Sequence, residues 1–174
     1  MKGNKSKVLL IAVAVVVILS IIYFFQSQQA SKPVSSSTIV LSSIPTGFEV
    51  NNITYNFSAY AYTTQEQEAG LMNATVTNKT FMLFAFNRSG IYSFWMKNTY
   101  DPLDIIWLNY SNSTQTANVV YFVHAQPCID YNQSQLRCPI YTPELNANYV
   151  LESKIGFVNQ SGIKNGTQIK FIFK

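Results

Sequence analysis

The residues best equipped for chemistry lie in "FWMKNTYDPLDII", Phe94 to Ile106, where two apolar segments flank Lys97, Asn98, Thr99, Asp101 and Asp104. Trp95 offers a stacking face, and Lys97, Asn98 and Asp104 offer directional hydrogen bonds, the combination found in glycan and small-polar-ligand sites. Asp101 and Asp104 also form a carboxylate pair, the minimum equipment of a surface hydrolase acting on envelope polysaccharide, although spacing alone carries little weight. The plainer reading is a hairpin connection. Asn98 or Asp101 makes an Asx-turn, Pro102 sets φ, and Lys97 pairs with Asp101 or Asp104. The loop reading is preferred here.

Other catalytic equipment is sparse. His124 is the only histidine, and it sits in the strand-like run "VVYFVHAQ", where a satisfied structural histidine is the usual case. No G-x-S-x-G, H-E-x-x-H or C-x-x-C motif occurs, and Glu68, Glu144 and Glu152 read as isolated carboxylates. Cys128 and Cys138 are the only cysteines. Ten residues apart, they fit a disulfide, which in the chain-entropy model contributes roughly 2.5–3 kcal/mol. A soft metal site would need both sulfurs, His124 and a Met; the disulfide is preferred, and no metal or cofactor is expected.

The N-terminus indicates where this chemistry would operate. Val8–Phe25 is an 18-residue apolar run relieved only by Ser20 and Tyr23. As a helix it would be about 27 Å long, enough to cross the hydrocarbon layer. Lys2, Lys5 and Lys7 precede it, and the next charge is Lys32. This asymmetry predicts a single-pass cell-membrane protein with a cytoplasmic stub (1–7), an anchor (8–25) held by membrane lipid, and the remainder outside. A cleavable signal peptide would have a shorter apolar core and small residues at the cut, whereas Gln28 fits such a site poorly. Beyond Phe25 nine of the twelve Lys and Arg face eight Asp and Glu, a near balance with no electrostatic footprint for nucleic acid.

An exterior placement agrees with an excess of N-glycosylation sequons beyond Phe25, at Asn52, Asn56, Asn73, Asn78, Asn87, Asn109, Asn112, Asn132, Asn159 and Asn165. With 11% charged residues, the surface needs hydroxyls, amides or glycans for solvation. Residues 26–47 are Ser- and Gln-rich and read as a tether; 48–174 read as one extracytoplasmic β domain.

The periods inside that domain are mostly two. Ile53, Tyr55, Phe57, Ala59 and Ala61 alternate with polar or partly polar neighbours, the mark of a half-buried strand. "FMLFAF" and "YSFWM" read as short buried strands separated by a turn at Asn87–Gly90; "LDIIWLNY" and "ANVVYFVHA" are joined by "SNSTQT"; "TQIKFIFK" closes the chain. Thr63 and Glu66 stand at capping-box spacing before a short helix, and "ESKIGFVNQSGI" fits another, ended by Gly162. The expected fold is mainly β: an antiparallel sandwich or partly closed barrel with one or two short helices.

The pattern "EAGLM", "MLFAF", "FWMKNTYDPLDIIWL", "YVLESKIG" and "GIKNG" resembles the family of small proteins catalogued as domain of unknown function 192, over most of residues 48–174. The resemblance implies a compact, mainly β domain, often exported or lipid-anchored, with no established activity. Two departures stand out. The family usually places an Arg two positions after "GLM", where this chain has Ala74, and favours Gly-Asp near the end, where Thr167 follows Gly166. A ligand role served by that Arg and Asp elsewhere in the family would be absent here. The expectation for function is a non-catalytic binding or accessory module at the cell envelope, with an envelope glycan or a surface-layer protein as partner.

Overall fold

The computed structural model describes residues 44–129 and 138–173. The expected anchor, the cytoplasmic stub, nearly all of the tether and Asn132 lie outside the described residues. Among the described residues no helix is long and apolar enough to cross a membrane.

Among the described residues, ten strands and two short helices follow one another. In chain order they are β1 (Gly47–Val50), β2 (Ile53–Asn56), β3 (Ala59–Ala61), α1 (Thr64–Ala69), β4 (Phe81–Gly90), β5 (Phe94–Trp95), β6 (Leu103–Ser111), β7 (Thr116–Ala125), β8 (Ile140–Tyr141), β9 (Ala147–Lys154), α2 (Phe157–Ser161) and β10 (Gln168–Ile172). Eight strands form one sheet in the order β2-β1-β10-β7-β6-β9-β4-β3, and β5 pairs with β8 separately. Only the β3–β4 pair is parallel. Of the two expected forms, the described residues take the barrel-like one: eight strands share a single sheet that curls into a half-barrel.

The curl has an identifiable cause. β2 and β3 are the two outer strands of the sheet, yet only Phe57 and Ser58 separate them. Asn56 and Ala59 are three Cα steps apart, at most about 11 Å. A flat eight-stranded sheet would hold its edges some 33 Å apart at about 4.8 Å per strand, so the sheet must roll until they nearly meet. Hydrogen bonds pin the corner: Phe57 donates its amide to the Thr46 carbonyl (3.1 Å) and Ser58 to that of Phe81 (2.9 Å). The Ser58 hydroxyl accepts from the Phe81 amide at 2.9 Å. The expected continuous strand over Ile53–Ala61 is therefore two strands. Its alternation changes face at the corner: Tyr55 and Phe57 pack with the cluster around Phe48, whereas Ala59 and Ala61 pack with the cluster around Trp107, and Ile53 at the start is 52% exposed.

Each face of the curled sheet buries its own core. One contains Phe48, Leu83, Ile106, Leu151 and Phe171, capped by Phe157 and Val158 of α2. Phe48 lies at its centre, with ring centroids of Tyr55 and Phe57 each at 5.2 Å. β1 approaches β2 so closely that a Cβ on Gly47 would sit 2.4 Å from the Tyr55 carbonyl oxygen, so only glycine fits there. The other face buries Met82, Phe84, Met96, Ile105, Trp107 and Val150 beneath the segments that follow α1 and β5.

Three further expectations change. The turn read at Asn87–Gly90 lies inside β4, which continues to Gly90 across an irregularity after Ala85, so the chain turns later. The strand β9 was not anticipated, yet it is central, paired with both β4 and β6. The expected ion pair from Lys97 to Asp101 or Asp104 does not form. Asp104 is fully buried, accepting from Val158 N–H at 2.8 Å and hydrogen-bonded to His124 Nδ1 at 2.6 Å. Asp101 accepts from Val76 N–H at 3.0 Å.

Asp104 thus ties β6 to β7 and to α2. Replacing it with Ala orphans the buried Val158 amide, and the expected cost is about 1–3 kcal/mol in chemical denaturation. His124→Ala should add little in the Asp104→Ala background, because both act through one bond. An unchanged denaturation midpoint in Asp104→Ala would show that this bond contributes nothing to folding.

Candidate functional site

A strongly aromatic groove of about 330 Å³ lies between α1 and the β5–β8 ladder. Several local features build it. Thr63 caps α1 by accepting from Glu66 N–H at 3.2 Å, and the Glu66 carboxylate accepts in return from Thr63 N–H at 2.9 Å, the reciprocal box the spacing predicted. Gln67 then reaches across to donate to the Ala85 carbonyl at 2.8 Å, fixing the helix to β4. The facing wall is Phe94 and Trp95, paired with Tyr141 and Ile140 respectively. Phe86 and Tyr92 stack at 3.6 Å and close one end. Trp95 is 45% exposed and Ile140 69%, so two large apolar side chains face solvent at the groove's edge.

The Cys128–Cys138 disulfide is present, with Cα atoms 5.7 Å apart. It supports the wall from behind. The Cys128 carbonyl accepts from Asn98 N–H at 2.8 Å, and Cys138 lies two residues before β8. Both sulfurs are thereby consumed, and no cluster of three metal-ligating side chains occurs among the described residues.

The four expected binding residues separate into two groups. Trp95 and Lys97 come together, with the Lys97 ammonium 5.4 Å from the Trp95 ring centroid. Asn98 takes a left-handed turn (φ 51°), and its carbonyl accepts from Asn73 N–H at 2.9 Å, tying the loop to the segment after α1. Asp104 points to the opposite face of the sheet, among the residues capped by α2. Asp101 and Asp104 are each engaged by a backbone amide, and Asp104 has no exposed surface to offer a substrate.

Sequence reasoning missed Glu152. It lies on β9 between Met82 of β4 and Ile105 of β6, and is 3% exposed. Its Oε2 has no hydrogen-bond partner among the described residues. Burial pushes its carboxyl up to about 8. It lines a recess of about 20 Å³ whose walls include Gly70, Thr99 and Phe84. The recess shares Gln67, Glu68, Phe94 and Trp95 with the groove. Gly70 has φ +47°, and a Cβ there would stand 3.6 Å from Glu152 Oε2, so glycine keeps the space over the carboxyl open. The available signal was an acid inside "YVLES", a near-continuous apolar run of the kind that is buried on both faces.

The fold and site define a curled, mainly antiparallel β domain carrying a ligand-sized aromatic groove with a buried acid behind it. Residues 50–171 match the DUF192 family, described as Uncharacterized ACR, and the chain belongs to that family. Among solved structures it is similar to a Novosphingobium aromaticivorans DSM 12444 protein of unknown function: 25% identity, TM-score 0.57, covering 73% of this chain and 84% of that one. It is also similar in fold to a Sinorhizobium meliloti 1021 protein described as a candidate transcription regulator: 23% identity, TM-score 0.57, covering 72% and 90%. No functionally curated protein matches the chain.

The buried acid makes stability depend on pH. The folded protein holds the Glu152 proton more tightly than the unfolded chain, where the ordinary value is 4.5. This contribution is therefore most favourable below about pH 4.5, declines as pH rises towards about 8, and levels off above. Glu152→Gln should flatten that slope, and its melting temperature should exceed the unsubstituted chain's most clearly at pH 8–9. Parallel melting curves for the two proteins from pH 5 to 9 would contradict a buried, weakly acidic Glu152.

Proposed function

We propose that the chain is a membrane-anchored, extracytoplasmic binding or accessory module, non-catalytic, whose groove takes a glycan or similarly polar small ligand. The observation that carries this reading is the Trp95 wall: an exposed indole, braced by β8 and the disulfide, beside polar Thr64, Gln67, Glu68 and Ser93. Apolar ring faces stack on the C–H faces of sugars while a few placed polar groups fix orientation. The groove volume falls in the range of small-molecule sites. The rival hydrolase reading draws no support from Asp101 and Asp104, whose carboxylates serve the fold.

The exterior placement has separate support. Every sequon asparagine among the described residues, nine of the ten, is exposed and open to a glycan. A disulfide persists in oxidising compartments outside the cytoplasm. The lysine asymmetry around Val8–Phe25 gives the orientation.

Two measurements test the proposal. Incubated with envelope polysaccharides, the protein should retain intact sugar, and Trp95→Ala should weaken retention by about tenfold or more without lowering the melting temperature by more than a few degrees. Release of reducing ends would select the hydrolase instead. Protease added to intact cells should remove the domain and spare the N-terminal stub; a protected domain, or a mature N-terminus near Ser31, would overturn the anchored topology.

A further inference from the structure

The recess at Glu152 differs in kind from the groove it opens on. The groove has room for a ring or a short chain, whereas the recess, at about 20 Å³, admits one group the size of a water molecule. Its floor is a carboxyl oxygen, fully buried and without a protein partner among the described residues. Buried polar atoms in folded proteins are nearly always paired, so an unpaired one aimed into a small cavity marks a place where a partner arrives.

Charge selects the partner. Neither the groove nor the recess is lined by Lys or Arg, while Glu68 lines both and Glu152 lines the recess. The groups facing Glu152 are otherwise neutral: Met82 and Phe84 from β4, Ile105 from β6, Gln67 from α1, and Trp95 and Thr99 from the stretch after β4. The nearby cation, Lys97, sits over the Trp95 ring. Water-sized, multiply donating and positive describes a primary ammonium group.

Building on the groove reading above, we propose that the ligand carries a primary amine, whose ammonium group enters the recess and ion-pairs with Glu152 while the body of the ligand lies along Trp95. An amino sugar and an aliphatic polyamine share this chemistry. Glu152 is mostly protonated at neutral pH in the free protein, so pairing expels its proton to solvent while an alkylammonium keeps its own. For an alkylammonium ligand, binding therefore releases about one proton at pH 7 and tightens as pH rises towards 8. A carboxyl with a purely structural role would produce neither effect.

The test is calorimetry on the full-length chain in detergent with three probes: a glucosamine oligosaccharide, its N-acetylated counterpart, and 1,5-diaminopentane. Titrations of the diamine at pH 7 in buffers of different ionisation enthalpy count the proton. Glu152→Gln keeps the side chain's shape and removes its charge, and its melting curve confirms folding. The expected result is that an amine probe binds, the acetylated sugar binds at least tenfold more weakly than its free-amine form, and Glu152→Gln loses at least tenfold for amines only. Amine binding unchanged in Glu152→Gln, or without proton release, would overturn the proposal and leave the recess with an ordered water only. Equal affinity for both sugars would overturn it while leaving the glycan groove standing. Diamine binding that depends on Glu152, with neither sugar bound, would support the ammonium site and reject the glycan reading. No binding by any probe would overturn both.

Discussion

The fold depends on a two-residue joint. Because Phe57 and Ser58 alone connect strands at opposite edges of an eight-stranded sheet, the sheet has no flat solution. Rolling it creates a concave side deep enough for the Phe48 cluster and a convex side that the remaining chain must cover. The cover comprises α1 with its following segment and the β5–β8 ladder, and the groove is the gap between these two pieces. The two edge strands come together at the Phe57–Ser58 corner, while β2 pairs only with β1 and β3 only with β4.

The two sides of the sheet treat their polar groups in opposite ways. On the concave side Asp104 is matched on both oxygens, by His124 and the Val158 amide, and acts as a rivet between two strands and a helix. On the convex side, one strand over, Glu152 sits on β9 with apolar neighbours on both flanking strands. Two carboxylates in adjacent strands thus have contrasting fates. The difference comes from what covers each face: α2 brings a free amide N–H to Asp104, whereas Gly70 and Phe84 bring nothing that donates to Glu152.

Much of the architecture was legible in the residues. Short apolar runs rich in β-branched and aromatic residues gave β6 and β7, alternation gave β10, the Thr63–Glu66 box gave α1, and Gly162 marked the end of α2. The corner at Phe57–Ser58 was hidden because a period of two reports which side faces inward and not which sheet edge a strand occupies. β9 was hidden for a related reason. Its burial on both faces removes the alternation, and its uninterrupted apolar run, Tyr149–Leu151, is too short to stand out as that of β6 does. For the site, the aromatic wall at Trp95 could be read in one stretch of sequence. Asp104 and Glu152 could not be told apart, because their roles depend on neighbours from β7, α2, β4 and the Gly70 segment that pairing brings together.

Strand β1 pairs with β10, setting Gly47 opposite Ile172, and Thr46 donates to the Ile172 carbonyl at 2.7 Å. The first and last strands of the domain are therefore neighbours, and β10 is also the sole link from β1 to β7. During synthesis β1 and β2 can form only an isolated hairpin, too small to be stable alone, until the final residues of the domain appear. The concave core cannot close around Phe48 before Ile169 and Phe171 arrive. Folding is thus deferred until β10 has been synthesised and is governed by contacts distant in sequence, a slow class of topology. A chain truncated by even half of its last strand would lose the seam that makes the sheet continuous.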